Sequence, residues 1–271
     1  MEKLRSKLVS SWDGLCAEVK HAAKRLKLEK DEELWYRGVS DCNFVLMPSL
    51  LRCFGKSKPT VKALRNLEND LFFEFMAKAR LEGGESLSEW DVLFLMQHYR
   101  APTRLLDWTE VLQVAVYFAV AYRKRDPADP ARIYVTNPYV WNDEHGYGRD
   151  LYWPRYFGWD AKTKAYYDFG EILVDEAYID WKYPCALYPP QRDVRLSAQR
   201  GFFTIHGYDL RPMDEISPEF VEAIDLDHSA IEECKHQLRY SGIDEYSLFP
   251  DLEGLSRKLR KDHGLDLPLP G

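Results

Sequence analysis

The chain has few of the features that staple a small protein or announce a well-known chemistry. Cysteine is scarce, with 5 in 271 residues. Cys16, Cys42, Cys53, Cys185 and Cys234 are widely spaced and form no CxxC pair, which argues against a zinc ribbon and against a disulfide framework. All five are expected as reduced thiols. The 7 histidines form no HExxH motif, and no metal is expected. No apolar run approaches the roughly 20 residues of a bilayer span, so no membrane partner is expected. The N-terminal MEKLRSKLVSSWDG has no apolar stretch long enough for a signal peptide, which points to the cytoplasm. GxxxxGK[ST], a GxGxxG after a strand, GxSxG and the HRD and DFG motifs are all missing. Their absence argues against a P-loop NTPase, a Rossmann dehydrogenase, an α/β-hydrolase and a protein kinase.

Positive charge is in the minority: Lys and Arg total 37 against 44 Asp and Glu, a formal net charge of −7. That balance disfavours a protein that coats duplex DNA, while leaving room for a local basic groove. Apolar residues make up 45% of the chain and charged residues 30%, which fits a folded globular protein rather than a disordered one.

The first 30 residues carry apolar positions at helical spacing (Leu4, Leu8, Trp12, Leu15, Val19) and are expected to form a helix. LWYRGVS, over 34–40, reads as a strand ending in a turn at Gly38. Pro59 and Thr60 open a long helix with Leu64, Leu67, Leu71, Phe75 and Met76 on its apolar face and Gly83-Gly84 as its stop. Ser88 and Asp91 suggest a capped start for a second helix, which closes at Gln97-His98 before Ala101-Pro102. Residues 103–109 read as a short loop leading into a wholly apolar, central helix from about Glu110 to Arg123. ARIYVTN, 171–179, 201–206 and 220–226 read as strands, and 229–240 and 255–263 as helices.

Aromatic residues make up 14% of the chain but are much denser over 139–188, where an irregular region anchored on the core or a stacking platform is expected. Trp153, Tyr156, Trp159 and Tyr166 are its candidate stacking residues. Short strands among helices without βαβ alternation indicate α+β: a single domain with a mixed or split small sheet and packed helices. The expected organisation is an N-terminal helix over 1–30 and a domain over 31–271, with the aromatic-rich insertion at about 139–188.

Polar residues set in apolar surroundings mark a candidate cleft. Arg37 ends a strand before a glycine; Gln97-His98 closes a helix; Thr103, Arg104 and Asp107 lie in a segment rich in Leu and Trp; Arg195, Gln199 and Arg200 precede a strand. Cationic and amide donors of this kind suit a phosphate or a nucleotide edge.

In chain order, WYRGVS, MPSLLR, FLMQHYRAPTRLLDWTEVLQVAVYFA, RLSAQRGFFTIHG and GIDEYSLFPDLEGL resemble the FRG domain family, over about residues 34 to 255. The QHYxxPTRLLDW block carries most of the resemblance. The Tyr36-Arg37-Gly38 motif is also similar to the first motif of Arg-class ADP-ribosyltransferases. That second resemblance implies an ADP-ribosyltransferase-like fold and NAD as substrate. It implies a macromolecular acceptor, nucleic acid or protein, in a toxin or anti-phage defence effector that a partner protein neutralises. Tyr36, Arg37, Gly38, Ser40, Thr103, Arg104 and Asp107 would then bind the nucleotide. Arg37, Glu171, Gln199 and His98 would form the catalytic set. Glu171 starts a strand similar to the third motif, with Phe169 where that motif has its first Glu. Gln199 competes with it for the place facing the nicotinamide ribose, and Thr103 stands in for a Ser-Thr-Ser motif. Two other activities fit the same residues: a nucleotide or phosphodiester hydrolase using His98, Asp107, Asp225 and Asp227, or a non-catalytic module that binds a nucleotide or partner.

Overall fold

The computed structural model describes residues 4–55, 57, 59–79, 89–121, 123, 129–154, 182–189 and 194–265. Its centre is one seven-stranded sheet in the order β1-β7-β4-β2-β3-β6-β5. The strands are β1 (Arg5–Val9), β2 (Trp35–Val39), β3 (Leu105–Thr109), β4 (Ala131–Thr136), β5 (Cys185–Leu187), β6 (Gly201–Ile205) and β7 (Val221–Leu226). β1 and β7 run parallel and the remaining neighbours antiparallel, so the sheet is mixed and the class is α+β.

Two segments differ from the sequence expectation. Residues 5–9, expected to be helical, form the edge strand β1, and the helix α1 (Trp12–Arg25) begins only where Ser11 accepts from the Gly14 amide. Residues 103–109, expected as a loop, hold β3 near the middle of the sheet. Leu105, Leu106, Trp108 and Thr109 are all buried, because helices or loops cover both faces of that strand. A strand buried on both sides shows no alternation, and its sequence signature is lost.

On one face of the sheet, α1, α5 (Leu112–Val120) and the helix His228–Tyr240 cover the half made of β1, β7, β4 and β2. On the same face, α3 (Val61–Lys78) and α4 (Glu89–His98) cover the half made of β3, β6 and β5, with Phe72, Trp90, Leu93 and Met96 on Leu105, Phe203 and Ile205. The buried stripe of α3 is Leu64, Glu68 and Phe72, while Met76 of the expected stripe is exposed. The opposite face is closed by Trp35, Trp108, Tyr134 and Phe202 packed with Trp141 of α6 (Pro138–Glu144) and with Met213. The four-residue α2 (Ser49–Arg52) lies beside Thr103, whose carbonyl accepts from the Leu50 amide at 3.0 Å. The Gly83-Gly84 stop, the Ser88 cap and the strand expected over 171–179 lie outside the described residues.

Candidate functional site

The sheet opens where its two halves meet. β2 and β3 share a single registered pair, Tyr36 with Thr109, and then separate. Above this seam, between α4 and α5, lies a cleft of about 1050 Å³. That is at the upper end of the roughly 300–1,000 Å³ usual for small-molecule sites.

Arg37 occupies the seam. Its Nη1 donates to the Asp107 carbonyl at 2.7 Å, satisfying a strand oxygen where β2 no longer pairs, and lies 3.4 Å from the Asp107 Oδ2. Burial draws the guanidinium pKa below its ordinary value; Asp107 pulls it back up and the nearby Arg52 lowers it further. An arginine stays protonated through such shifts. Both contacts fall on Nη1; among the described residues Nε–H and Nη2 make no hydrogen bond.

Asp107 is the one exposed residue of β3, its side chain 56% accessible among buried neighbours. It is also held in place. Gln97 Nε2 donates to Oδ1 at 2.9 Å, and the Thr103 hydroxyl donates to Gln97 Oε1, fixing the amide's orientation. A buried hydroxyl, an amide and a carboxylate thus form a chain from the core to the cleft.

Two aromatic pairs wall the cleft. Phe94 of α4 stacks on Phe203 of β6 at 5.3 Å, and on the other side Phe118 of α5 meets Phe249 edge-on at 6.1 Å. Four arginines, Arg37, Arg52, Arg100 and Arg195, line the cleft against two carboxylates, Asp91 and Asp107. Arg195 is engaged by Asp251 and Glu253. Arg100 ends α4 in the left-handed region (φ 62°), where glycine is usual, and its exposed guanidinium faces the cleft. In an acidic chain this is a local cationic surface.

Of the residues expected from the sequence, Tyr36, Arg37, Gly38, Ser40, His98, Asp107 and Gln199 line the cleft. Gly38 does so for a reason other than ligand approach. A Cβ there would lie 1.7 Å from the Ala115 carbonyl oxygen and 2.9 Å from the Ala119 amide, so the glycine lets α5 rest on β2. The Tyr36 phenol is pushed up to about 12 by burial in the core beneath α5. Gln199 Nε2 donates to the Leu248 carbonyl at 3.1 Å, while its own carbonyl accepts from Thr109 at 2.7 Å.

Thr103 and Arg104 are not brought to the cleft. Thr103 is buried and acts through Gln97. Arg104 is fully buried, its Nε within 2.8 Å of both Glu68 oxygens and its Nη1 on the His206 carbonyl. Burial raises the Glu68 carboxyl pKa, and Arg104 opposes the rise. The sequence placed Arg104 near Asp107 but gave no sign of Glu68, which sits in the buried stripe of α3. Asp225 pairs with Arg132 at 2.6 Å and Asp227 caps the helix His228–Tyr240, so neither joins His98 and Asp107. Glu171, Tyr156, Trp159 and Tyr166 lie outside the described residues. Trp153 stacks on Tyr188 at 4.2 Å and does not line the cleft. The sequence reading missed Arg52 and the walls formed by Phe94, Phe118 and Phe249. The only signals were the MPSLLR block, for Arg52, and the chain-order blocks that hold the phenylalanines.

Fold and site define an α+β sheet protein with a cationic, aromatic-walled cleft over a splayed central seam. Residues 32–128, just over a third of the chain, match the model of the FRG domain. Both the Tyr36-Arg37-Gly38 motif and the Asp107 block fall inside it. No curated protein and no solved structure matches the chain.

Proposed function

We propose that the cleft binds NAD and that the protein is an ADP-ribosyltransferase acting on a nucleic acid or protein acceptor. The observation that carries this reading is Asp107: a carboxylate facing the cleft, oriented by Gln97, beside Arg37 and between two aromatic walls. Breaking the bond between ribose C1′ and the nicotinamide nitrogen develops positive charge on the ribose. A fixed carboxylate favours that charge, as in glycoside hydrolysis. The bonding pair leaves on the nicotinamide nitrogen and neutralises the ring. An acceptor oxygen or nitrogen then bonds to C1′ and gives its proton to His98 or to water. Arg37 holds phosphate, and the phenylalanine pairs suit the flat nicotinamide and adenine rings. Of the two carboxylates lining the cleft, Asp107 is the one oriented by Gln97 beside Arg37, and it takes the role expected of Glu171. A macromolecular acceptor fits a toxin or anti-phage effector, which a neutralising partner would silence by covering the cleft mouth.

The test is nicotinamide release from NAD, with mass spectra of RNA, DNA and protein pools after incubation. Wild type should release nicotinamide and add one ADP-ribose to one pool. Asp107→Asn should lose kcat far more than it changes KM. Arg37→Lys should fail nearly as badly as Arg37→Ala, because a point charge does not reproduce the guanidinium fork. Saturable NAD binding without nicotinamide release in any pool would refute the transferase and leave a binding module.

A further inference from the structure

Arg52 and Arg100 are the two arginines of the cleft lining that meet no carboxylate among the described residues, and of the two Arg52 is the one whose charge acts on Arg37. It ends α2, and its Nη1 donates to the Met47 carbonyl at 2.7 Å. Among the described residues it meets no carboxylate. It lines the same cleft as Arg37, and its charge is felt there. Arg37 lies in the seam and Arg52 is exposed on the lining of the same cleft; like charges repel, and an anion bound between the two guanidinium groups would offset that repulsion.

Arg37 alone cannot neutralise a dianion, since Asp107 at 3.4 Å already offsets much of its charge. Arg52 is held by a neutral carbonyl, and among the described residues no carboxylate offsets its charge. Its position is also built in. Ser49 Oγ accepts from the Thr103 amide at 3.1 Å, so α2 hangs on the residue that, through Gln97, sets the Asp107 carboxylate. One threonine therefore fixes the second cation and the carboxylate relative to each other.

We propose that Arg37 and Arg52 form a two-guanidinium subsite for a diphosphate bridge, so that the cleft selects nucleoside diphosphates over monophosphates. The proposal rests on reading the cleft as a nucleotide site and goes further by assigning the residue that selects the second phosphate. Each guanidinium can hold one phosphate in a forked pair, and a monophosphate fills only one of the two.

The experiment is calorimetric titration of AMP, ADP, ADP-ribose and inorganic pyrophosphate into wild type, Arg52→Ala and Arg52→Lys, with thermal melts as the folding control. Wild type should bind ADP at least tenfold more tightly than AMP. Arg52→Ala should bring ADP to the AMP level while leaving AMP nearly unchanged, and Arg52→Lys should fall between. Equal affinity for AMP and ADP in wild type, no binding of either, or an unchanged ratio in Arg52→Ala would overturn the proposal. The outcomes separate it from the transferase reading. Selective ADP binding without nicotinamide release keeps the subsite and removes the transferase. Nicotinamide release at the wild-type rate and KM in Arg52→Ala keeps the transferase and removes the subsite.

Discussion

Replacing Gly38 by alanine tests whether the glycine of the Tyr-Arg-Gly motif serves the ligand or the fold. The added Cβ would stand 1.7 Å from the Ala115 carbonyl oxygen and 2.9 Å from the Ala119 amide. A carbon–oxygen contact needs about 3.3 Å, so α5 would have to lift by about 1.6 Å. The colliding atoms are main chain on both elements, and no rotamer change relieves them. Moving α5 loosens Ala115, Val116 and Ala119 from the core they share with Ile133, Val135 and Ile224. Overpacking typically costs about 1–3 kcal/mol, and a backbone clash belongs at or above the top of that range. A loss of about 3 kcal/mol in a chain of this size corresponds to a melting point lowered by about 6–12 °C. Thermal and urea unfolding of Gly38→Ala and of Gly38→Ala with Ala115→Gly read the effect. The second substitution should not rescue the first, because the obstacle is the carbonyl of residue 115 and not its methyl group. A Gly38→Ala protein that melts within about 2 °C of wild type but no longer binds nucleotide would refute the packing argument.

Arg104→Ala should unfold the protein before it alters chemistry, at a cost of about 3–5 kcal/mol from stranding Glu68 in the core, and Arg104→Met with Glu68→Leu should recover much of that by urea titration. Unchanged stability in Arg104→Ala would remove the buried pair from the account. His206 is buried with its pKa lowered to about 3 by desolvation and by the Arg104 charge. The unfolded chain therefore takes up this proton first. Its contribution is intact above about pH 6.5 and is lost at about 1.4 kcal/mol per unit as pH falls toward 3. Glu68, whose carboxyl pKa is raised by burial, titrates with the opposite slope, so the measurement is the difference between wild type and His206→Phe. Parallel stability–pH curves for the two would show that His206 does not titrate on unfolding.

What the sequence disclosed depended on range. β2, β4, β6 and β7 were readable because each carries local β-propensity between turn residues. β1 was not, because RSKLV is exposed at four of its five positions and Leu4 and Leu8 fall by chance in the helical register of α1. β3 was not, because burial on both faces erased its alternation. The same distinction holds at the site. Arg37, His98 and Asp107 were found from polar residues in apolar surroundings. Their arrangement was not, because Arg37 meets Asp107 across 70 residues and Arg104 meets Glu68 across 36. Arg104 and Asp107, only three apart, looked like one cluster. Strand geometry sends them to different partners, one into the core and one into the cleft.

The Tyr-Arg-Gly motif divides its work in a way that bears on function. Tyr36 is buried beneath α5 and makes the one registered pair with β3. Gly38 admits α5 against the strand. Both belong to the fold. Arg37 belongs to it in part, since Nη1 satisfies the Asp107 carbonyl where the ladder ends. Two strands that stayed paired would close that gap with ordinary hydrogen bonds and need no arginine. Keeping the seam open requires a donor that reaches across it, and a guanidinium does so while holding donors in reserve. A lysine reaching the same carbonyl would present one compact charge and no second edge. The motif therefore favours arginine for the strand oxygen and, on the proposed reading, a second time for an anion in the cleft. Glycine follows because α5 must pack close enough to bring Phe118 to the opposite wall. On this argument the opening between the two halves of the sheet is built into the motif, and Asp107 is exposed on its strand because Arg37 holds that opening apart.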